Sequence, residues 1–209
     1  MTTIVGLSNK YGAVIAGDSR ITTIDNSGYA TQINTLPNTM TKVIKTGDYI
    51  IGASGDLRAL NLIQHAFTPP PPPKNPDKQL PHIINKLIPE LRQTFDDHGY
   101  SLPQREQSNH IAEHSSTILI AVKGQIFCID GDYSVMGEHT GTHAIGTGAQ
   151  YALGCLHTYR HHLQETHLTG LEQIALHALN TASTYDPHTA PPHTCHTTPT
   201  KKGEKHGRT

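Results

Sequence analysis

Two adjoining stretches decide how this chain reads: Met1-Thr2-Thr3-Ile4-Val5-Gly6-Leu7, and Gly12-Ala13-Val14-Ile15-Ala16-Gly17-Asp18-Ser19-Arg20. Ile4, Val5 and Leu7 form a short β-prone run, and residues 13–16 form another. Lys10-Tyr11-Gly12 between them reads as a tight turn, so the expectation is a buried hairpin. Its second strand ends on Asp18, a carboxylate where a core run meets a loop. No leader or pro-segment is expected in front of Thr2. An initiator Met before a residue as small as Thr is normally trimmed, which would leave Thr2 with a free amine and a hydroxyl. That pair is a complete nucleophile–base unit, because the amine can accept the proton that the hydroxyl must lose.

Composition narrows the setting. The chain has 209 residues, enough for one domain with a sizeable core. Its hydrophobic share is 35% before its 18 glycines are counted, an ordinary value for a soluble protein. Charged residues are 16% and the formal net charge is −1, which argues against nucleic acid or a membrane surface as main partner. No apolar run has the length of a membrane span. Cys128, Cys155 and Cys195 are scattered and odd in number, as expected of a reduced, cytoplasmic protein rather than a disulfide framework. The 16 histidines invite a metal reading, with His157 and His161 four apart on an expected helix. No cysteine or carboxylate joins them at zinc-like spacing, so no metal and no cofactor is expected. The alternative is a set of polar surface histidines.

Working outward, residues 22–38 read as a polar loop, with Asp25-Asn26-Ser27-Gly28 as a turn and room for a small hairpin around Tyr29. Residues 40–45 read as a strand, Gly47-Asp48 as its turn and residues 49–53 as the return. Asp56 would cap a helix beginning at Leu57, with Leu57, Leu60, Ile63 and Ala66 on one face. The proline run from Pro69 to Pro76 can be neither helix nor central strand. It reads as a stiff extended connector, with a ligand for an SH3-like partner as the alternative. A second helix spans 80–95, kinked or broken at Pro89, and a loop covers 99–108. Residues 115–122 are the strongest strand signal, and residues 125–130 pair back on it. A loop covers 131–141 and a short strand 142–145. Helices follow over 149–163 and from a Thr169 cap. The domain is expected to run over residues 1–190, with 191–209 a disordered Pro-, His- and Thr-rich tail. Strands, two helices, strands, two helices is not a βαβ alternation. It suggests antiparallel sheets covered by helix pairs, an α+β architecture.

The opening blocks resemble the start of a proteasome β-type subunit and of the HslV peptidase. Lys42-Val43-Ile44, Ala53-Ser54-Gly55, Ala144-Ile145-Gly146-Thr147-Gly148, Tyr151-Ala152-Leu153-Gly154 and Tyr185-Asp186 match in the same order, over roughly residues 2–189. The resemblance implies the four-layer αββα sandwich of N-terminal nucleophile hydrolases. It also implies a threonine endopeptidase working inside a ring-shaped, self-compartmentalised assembly.

Acyl transfer to a hydroxyl needs a nucleophile, a proton acceptor, a group that tunes the acceptor, and donors for the oxyanion. By resemblance, Thr2 is the nucleophile and Lys42 the lysine that holds down the amine's pKa. Asp18 is the carboxylate that orients that lysine, and Gly55 supplies the oxyanion N–H. Thr147 stands where the family has Ser, so the hydroxyl is kept and a methyl added. Asp186 matches the aspartate near the end of the last helix, and Thr189 falls at a second Ser position. Two departures stand out. The stretch between Thr2 and Lys42 is longer than usual, and Ala190-Pro191-Pro192 replaces a glycine pair. By the same alignment Ile21, Met40, Ala53 and Leu57 would line an apolar specificity pocket, ordinary core packing being the alternative.

The implied partners are unfolded protein or peptide substrates, further copies of the chain in a homo-oligomeric ring, and an ATP-dependent unfoldase or α-type ring. Three rival readings stay open: a catalytically silent ring or scaffold subunit, a small-amide hydrolase on the same fold, and a general oligomerisation module.

Overall fold

The computed structural model describes residues 2–25, 27, 29–100 and 115–200. The opening hairpin is β1 (Thr3–Asn9) and β2 (Gly12–Gly17), paired antiparallel from Ile4↔Gly17 to Asn9↔Gly12. Next come β3 (Arg20–Ile24) and β4 (Ala30–Thr35), a separate two-stranded hairpin. Then β5 (Val43–Thr46) and β6 (Tyr49–Ser54) turn at Gly47-Asp48 as expected. Helix α1 (Leu57–His65) follows, capped by Asp56 through the Arg58 N–H at 2.8 Å.

After the prolines, α2 (Gln79–His82) passes through a π-helical turn over Ile83–Leu87 into α3 (Ile88–Asp97). Pro89 is the second residue of α3, but the chain before it is already helical, so its missing N–H is one that a regular helix would use. The wider turn just before it is how the helix accommodates a residue that cannot donate backwards. The second half holds β7 (Thr117–Val122), β8 (Gln125–Ile129), β9 (Val135–Gly137) and β10 (Thr142–Gly146). Helices α4 (Ala149–Thr158) and α5 (Leu168–Tyr185) and a last strand, β11 (Thr194–Pro199), complete it.

One sheet has the order β10-β1-β2-β11 and the other β5-β6-β7-β8-β9. Strand alternation assigns each face. Ile4, Ala13, Ile15, Val43, Ile50, Leu119, Ala121, Ile126 and Cys128 fill the space between the sheets. The opposite faces are Val5, Leu7, Val14 and Ala16, covered by α4 and α5, and Ile51, Ile118, Ile120 and Ile129, covered by α1 and α3. The result is the four-layer αββα sandwich, and it places β1, the strand that follows Thr2, inside its sheet.

Several expectations are corrected. The hairpin allowed for around Tyr29 is present as β3–β4, and it takes up most of residues 22–38, which are not the loop expected there. Its strand β4 is exposed throughout, so burial leaves no apolar alternation to read. Asp25 turns it by accepting the Ser27 and Tyr29 N–H groups, each at 2.9 Å, while Asn26 and Gly28 lie outside the described residues. The loop over 131–141 contains β9, held to β8 by pairing from Phe127↔Gly137 to Ile129↔Val135. Helix α4 stops at Thr158, and α5 begins after His167 without a side-chain cap.

The largest correction concerns the tail. Residues 194–199 are not disordered. They form β11, paired with β2 from Thr194↔Gly17 to Pro199↔Gly12, so the domain does not end at 190. Strand β2 is buried along its whole length, and its outer N–H and C=O groups need a partner. The β-branched threonines at 194, 197 and 198 supply one, with Lys45 Nζ donating to the Thr197 carbonyl at 3.1 Å. Residues 201–209 and most of the 99–108 segment lie outside the described residues.

Candidate active site

Asp18 follows β2 directly and is buried, and four donors converge on its carboxylate. Oδ1 accepts the Thr3 N–H at 2.9 Å and Lys42 Nζ at 2.8 Å. Oδ2 accepts the Arg20 N–H at 2.9 Å and the Ala190 N–H at 3.3 Å. Lys42 comes one residue before β5, and its side chain is 1% exposed. It also donates to the Arg20 carbonyl. Burial pulls the Lys42 ammonium below its ordinary 10.5, and Asp18 opposes that pull. Removing either partner would strand the other charge inside the protein, at a cost of about 3–5 kcal/mol.

A second carboxylate network stands at the C-terminal end of α5. Asp186 Oδ2 accepts the Thr147 hydroxyl at 2.7 Å and the Thr189 hydroxyl at 2.6 Å, and Oδ1 accepts the His188 N–H at 3.1 Å. Burial would raise the Asp186 carboxyl. The hydroxyls of Thr189 and Thr147, the His188 N–H and the His188 ring together hold it below its ordinary 3.8. Thr147 thus keeps the hydrogen-bonding capacity that its hydroxyl promised, and uses it on Asp186.

Thr2 immediately precedes Thr3, whose N–H bonds Asp18 in the first network and whose hydroxyl bonds Thr189 in the second. It is buried, and its main chain runs against Gly146, the last residue of β10 and the partner of Thr3. A Cβ on Gly146 would stand 1.9 Å from the Thr2 carbonyl oxygen and 3.0 Å from Ser54 Oγ. Ser54 ends β6, so the same contact brings Gly55 to this corner. Gly55 has φ +125°, and a Cβ there would strike the Ser115 carbonyl at 2.4 Å, so only glycine fits.

Of the expected site residues, the structure gathers Asp18, Lys42, Thr147 and Asp186 around the start of β1, with Gly55 beside Ser54. Ile21, Met40 and Leu57 are half-buried against the core under the five-stranded sheet, and Ala53 is buried in it. His157 and His161 instead flank the Arg160 guanidinium, His161 accepting from its Nε at 3.0 Å. Sequence reasoning missed Thr3, the Ala190 N–H and Gly148. A threonine at a strand start looks like ordinary β-propensity, and a main-chain donor from a distant segment leaves no trace in side-chain pattern.

The layers and the strand order are those of the proteasome-like αββα sandwich. No protein-family model matches the chain, and no curated protein matches it. Solved structures do. BPH from Thiobacillus denitrificans in complex with epoxomicin superposes with a TM-score of 0.71 at 15% identity, over 96% of this chain and 100% of that one. Eukaryotic HslV from Trypanosoma brucei does so with a TM-score of 0.60 at 16% identity, over 94% and 99%. The Gly-1 mutant of Anbu from Hyphomicrobium sp. strain MC1 gives 0.61 at 13%, over 93% and 81%. At these identities the likeness is one of fold.

Proposed function

We propose that the chain is a threonine-type endopeptidase that uses Thr2 as its nucleophile once Met1 has been removed. The observation that carries this reading is the buried Asp18 carboxylate, which holds Lys42 Nζ and the Thr3 N–H on one oxygen. A lysine ammonium is thereby fixed beside the start of β1, where a free Thr2 amine would need it. In the reaction, the Thr2 amine takes the hydroxyl proton and Oγ attacks the peptide carbonyl carbon. The C=O π pair moves onto oxygen, and the Gly55 N–H stabilises that oxyanion. The C–N bond then breaks, and the leaving amine takes the proton back from the Thr2 ammonium. Water, deprotonated by the same amine, releases the acyl group and restores Thr2. Lys42 keeps the amine neutral by like-charge repulsion, and Asp186 anchors the hydroxyls of Thr147 and Thr189 alongside.

The half-buried Ile21, Met40 and Leu57, with Ala53 behind them, would accept an apolar residue before the cleaved bond. A bare nucleophile in the cytoplasm requires enclosure, which a closed ring of further copies would supply, fed by an unfoldase or an α-type ring. BPH is a fold relative with epoxomicin bound, which makes that compound a suitable probe.

The test is an intact mass of purified protein with and without epoxomicin, followed by peptide turnover. The mature chain should start at Thr2, and the adduct should map to its N-terminal peptide. Thr2→Ala should lose both the adduct and at least about a hundredfold in turnover. Active protein that retains Met1, or an active Thr2→Ala variant, would overturn the reading. A folded wild-type protein starting at Thr2 that takes no adduct and cleaves nothing would favour a silent ring subunit.

A further inference from the structure

Thr3 opens β1 and is fully buried. Along that strand Ile4 faces the space between the sheets, while Val5 and Leu7 face α4 and α5. Thr3 shares the side of Val5 and Leu7, so its side chain meets the segment after α5. There its Oγ1 stands 2.5 Å from Thr189 Oγ1.

The direction of that hydrogen bond follows from proton counting. A hydroxyl carries one proton. Thr189 uses its own on Asp186 Oδ2, and an ionised carboxylate only accepts. Thr189 must therefore accept from Thr3, and the chain runs Thr3 to Thr189 to Asp186. The N–H of the same Thr3 donates to Asp18 Oδ1, the oxygen that also holds Lys42. Gly148 leaves room for this. A Cβ there would stand 2.2 Å from Thr3 Oγ1 and 3.0 Å from both Asp186 Oδ2 and Thr189 Oγ1.

We propose that Thr3 is a positioning residue. Gripped through its N–H by Asp18 and through its hydroxyl by Thr189, it sets the direction of the Thr2–Thr3 peptide and so aims Thr2 at the acyl carbon. This inference rests on Thr2 being the nucleophile. It assigns the hydroxyl of Thr3 a task that shape alone cannot perform, so an isosteric residue without the hydroxyl should fold and still turn over slowly.

The experiment compares Thr3→Val, Thr3→Ser, Thr189→Val and the Thr3→Val/Thr189→Val double variant in peptide turnover, with Thr2→Ala as control and thermal melts to establish folding. Thr3→Val should lower kcat about tenfold, the effect of one lost orienting hydrogen bond, with KM changed by less than about twofold. Thr3→Ser should recover most of the loss. Thr189→Val removes the acceptor and should also lower kcat. Adding Thr3→Val to it should then cost little more, since the two belong to one chain.

Wild-type kcat in Thr3→Val, a loss confined to KM, or a Ser variant no better than the Val one would each overturn the proposal. So would a further full tenfold loss in the double variant. If Thr3→Val does not fold, Thr189→Val decides alone, and an unchanged kcat there refutes it. An active Thr2→Ala would instead refute the nucleophile assignment, and this inference with it. An inactive Thr2→Ala beside a fully active Thr3→Val would refute this inference only.

Discussion

On the proposed function, Lys42 is the residue whose charge the chemistry depends on most, and its environment makes two demands of it. Burial favours the neutral amine, while Asp18 at 2.8 Å favours the ammonium. A free α-amine titrates at roughly 7.7–8.0, and a neighbouring positive charge should push the Thr2 amine to or below that range. Turnover should therefore rise through the lowered amine pKa, level off, and fall again below pH 10.5 as Lys42 loses its proton. Lys42→Met removes the repulsion. Its residual activity, normalised to folded protein, should show the acidic limb moved to higher pH. An unmoved limb would assign the base elsewhere, and its displacement by substituting His188 or His193 would identify that base as a histidine. Asp186 makes a different prediction. Its folded pKa lies below the ordinary 3.8, so the stability it contributes is fully present above that value and is lost as pH falls through the folded one. Asp186→Asn should cost about 1–3 kcal/mol in denaturant unfolding at neutral pH, and the gap to wild type should close in that acid window. A gap that is the same at every pH would remove the charge from the explanation. The Asp18–Lys42 pair was legible through the resemblance, since a turn aspartate and a strand lysine carry no pattern of their own, and the structure joins the two. The Thr3–Thr189 bond was not, because it depends on a tertiary approach across nearly the whole chain.

At the scale of elements, legibility followed burial. Strands β1, β2, β6, β7 and β8 are apolar and enclosed, and each was read close to its observed bounds. Strand β4 is exposed and β9 has three residues, so neither carries a pattern that burial imposes. Strand β11 was hidden by its surroundings, since prolines and histidines on either side look like low-complexity tail. Its role is nonetheless structural. It closes the edge of β2, and the turn leading into it delivers the Ala190 N–H to Asp18 and the Pro192 carbonyl to Ser19 Oγ at 2.6 Å. Truncation after His193 should leave β2 as an open apolar edge. The shortened chain should be recovered mainly as aggregate, or melt well below the full one. A truncated protein with an unchanged melting temperature would mean that β11 contributes nothing to the edge.

For the whole molecule, strands followed by helix pairs twice over suggested antiparallel sheets covered by helix pairs, the resemblance sharpened that to four layers, and four layers are what the strand alternation builds. The assembly is a separate matter, because ring closure leaves no periodic signal in a single chain. The faces available for it are visible: Leu80 and Ile84 on the α1–α3 side, and Tyr151 and Leu153 on α4, are exposed apolar side chains. On the proposed function, sedimentation of the purified protein should give a particle of many copies, and peptide turnover should follow the assembled fraction on dilution. A monomer that cleaves peptides at full rate would exclude enclosure as the means of restraint.

Thr2 is 3% exposed in the folded chain, and the strand it introduces is flanked on both sides by β2 and β10. On the reading proposed here, that frame has a consequence in time. Thr2 is made before the strand that steadies it, since β10, which pairs with β1 on the side away from β2, follows more than a hundred residues later. A chain still being synthesised therefore carries its nucleophile without the support that fixes its direction, and cleavage waits for a nearly complete chain.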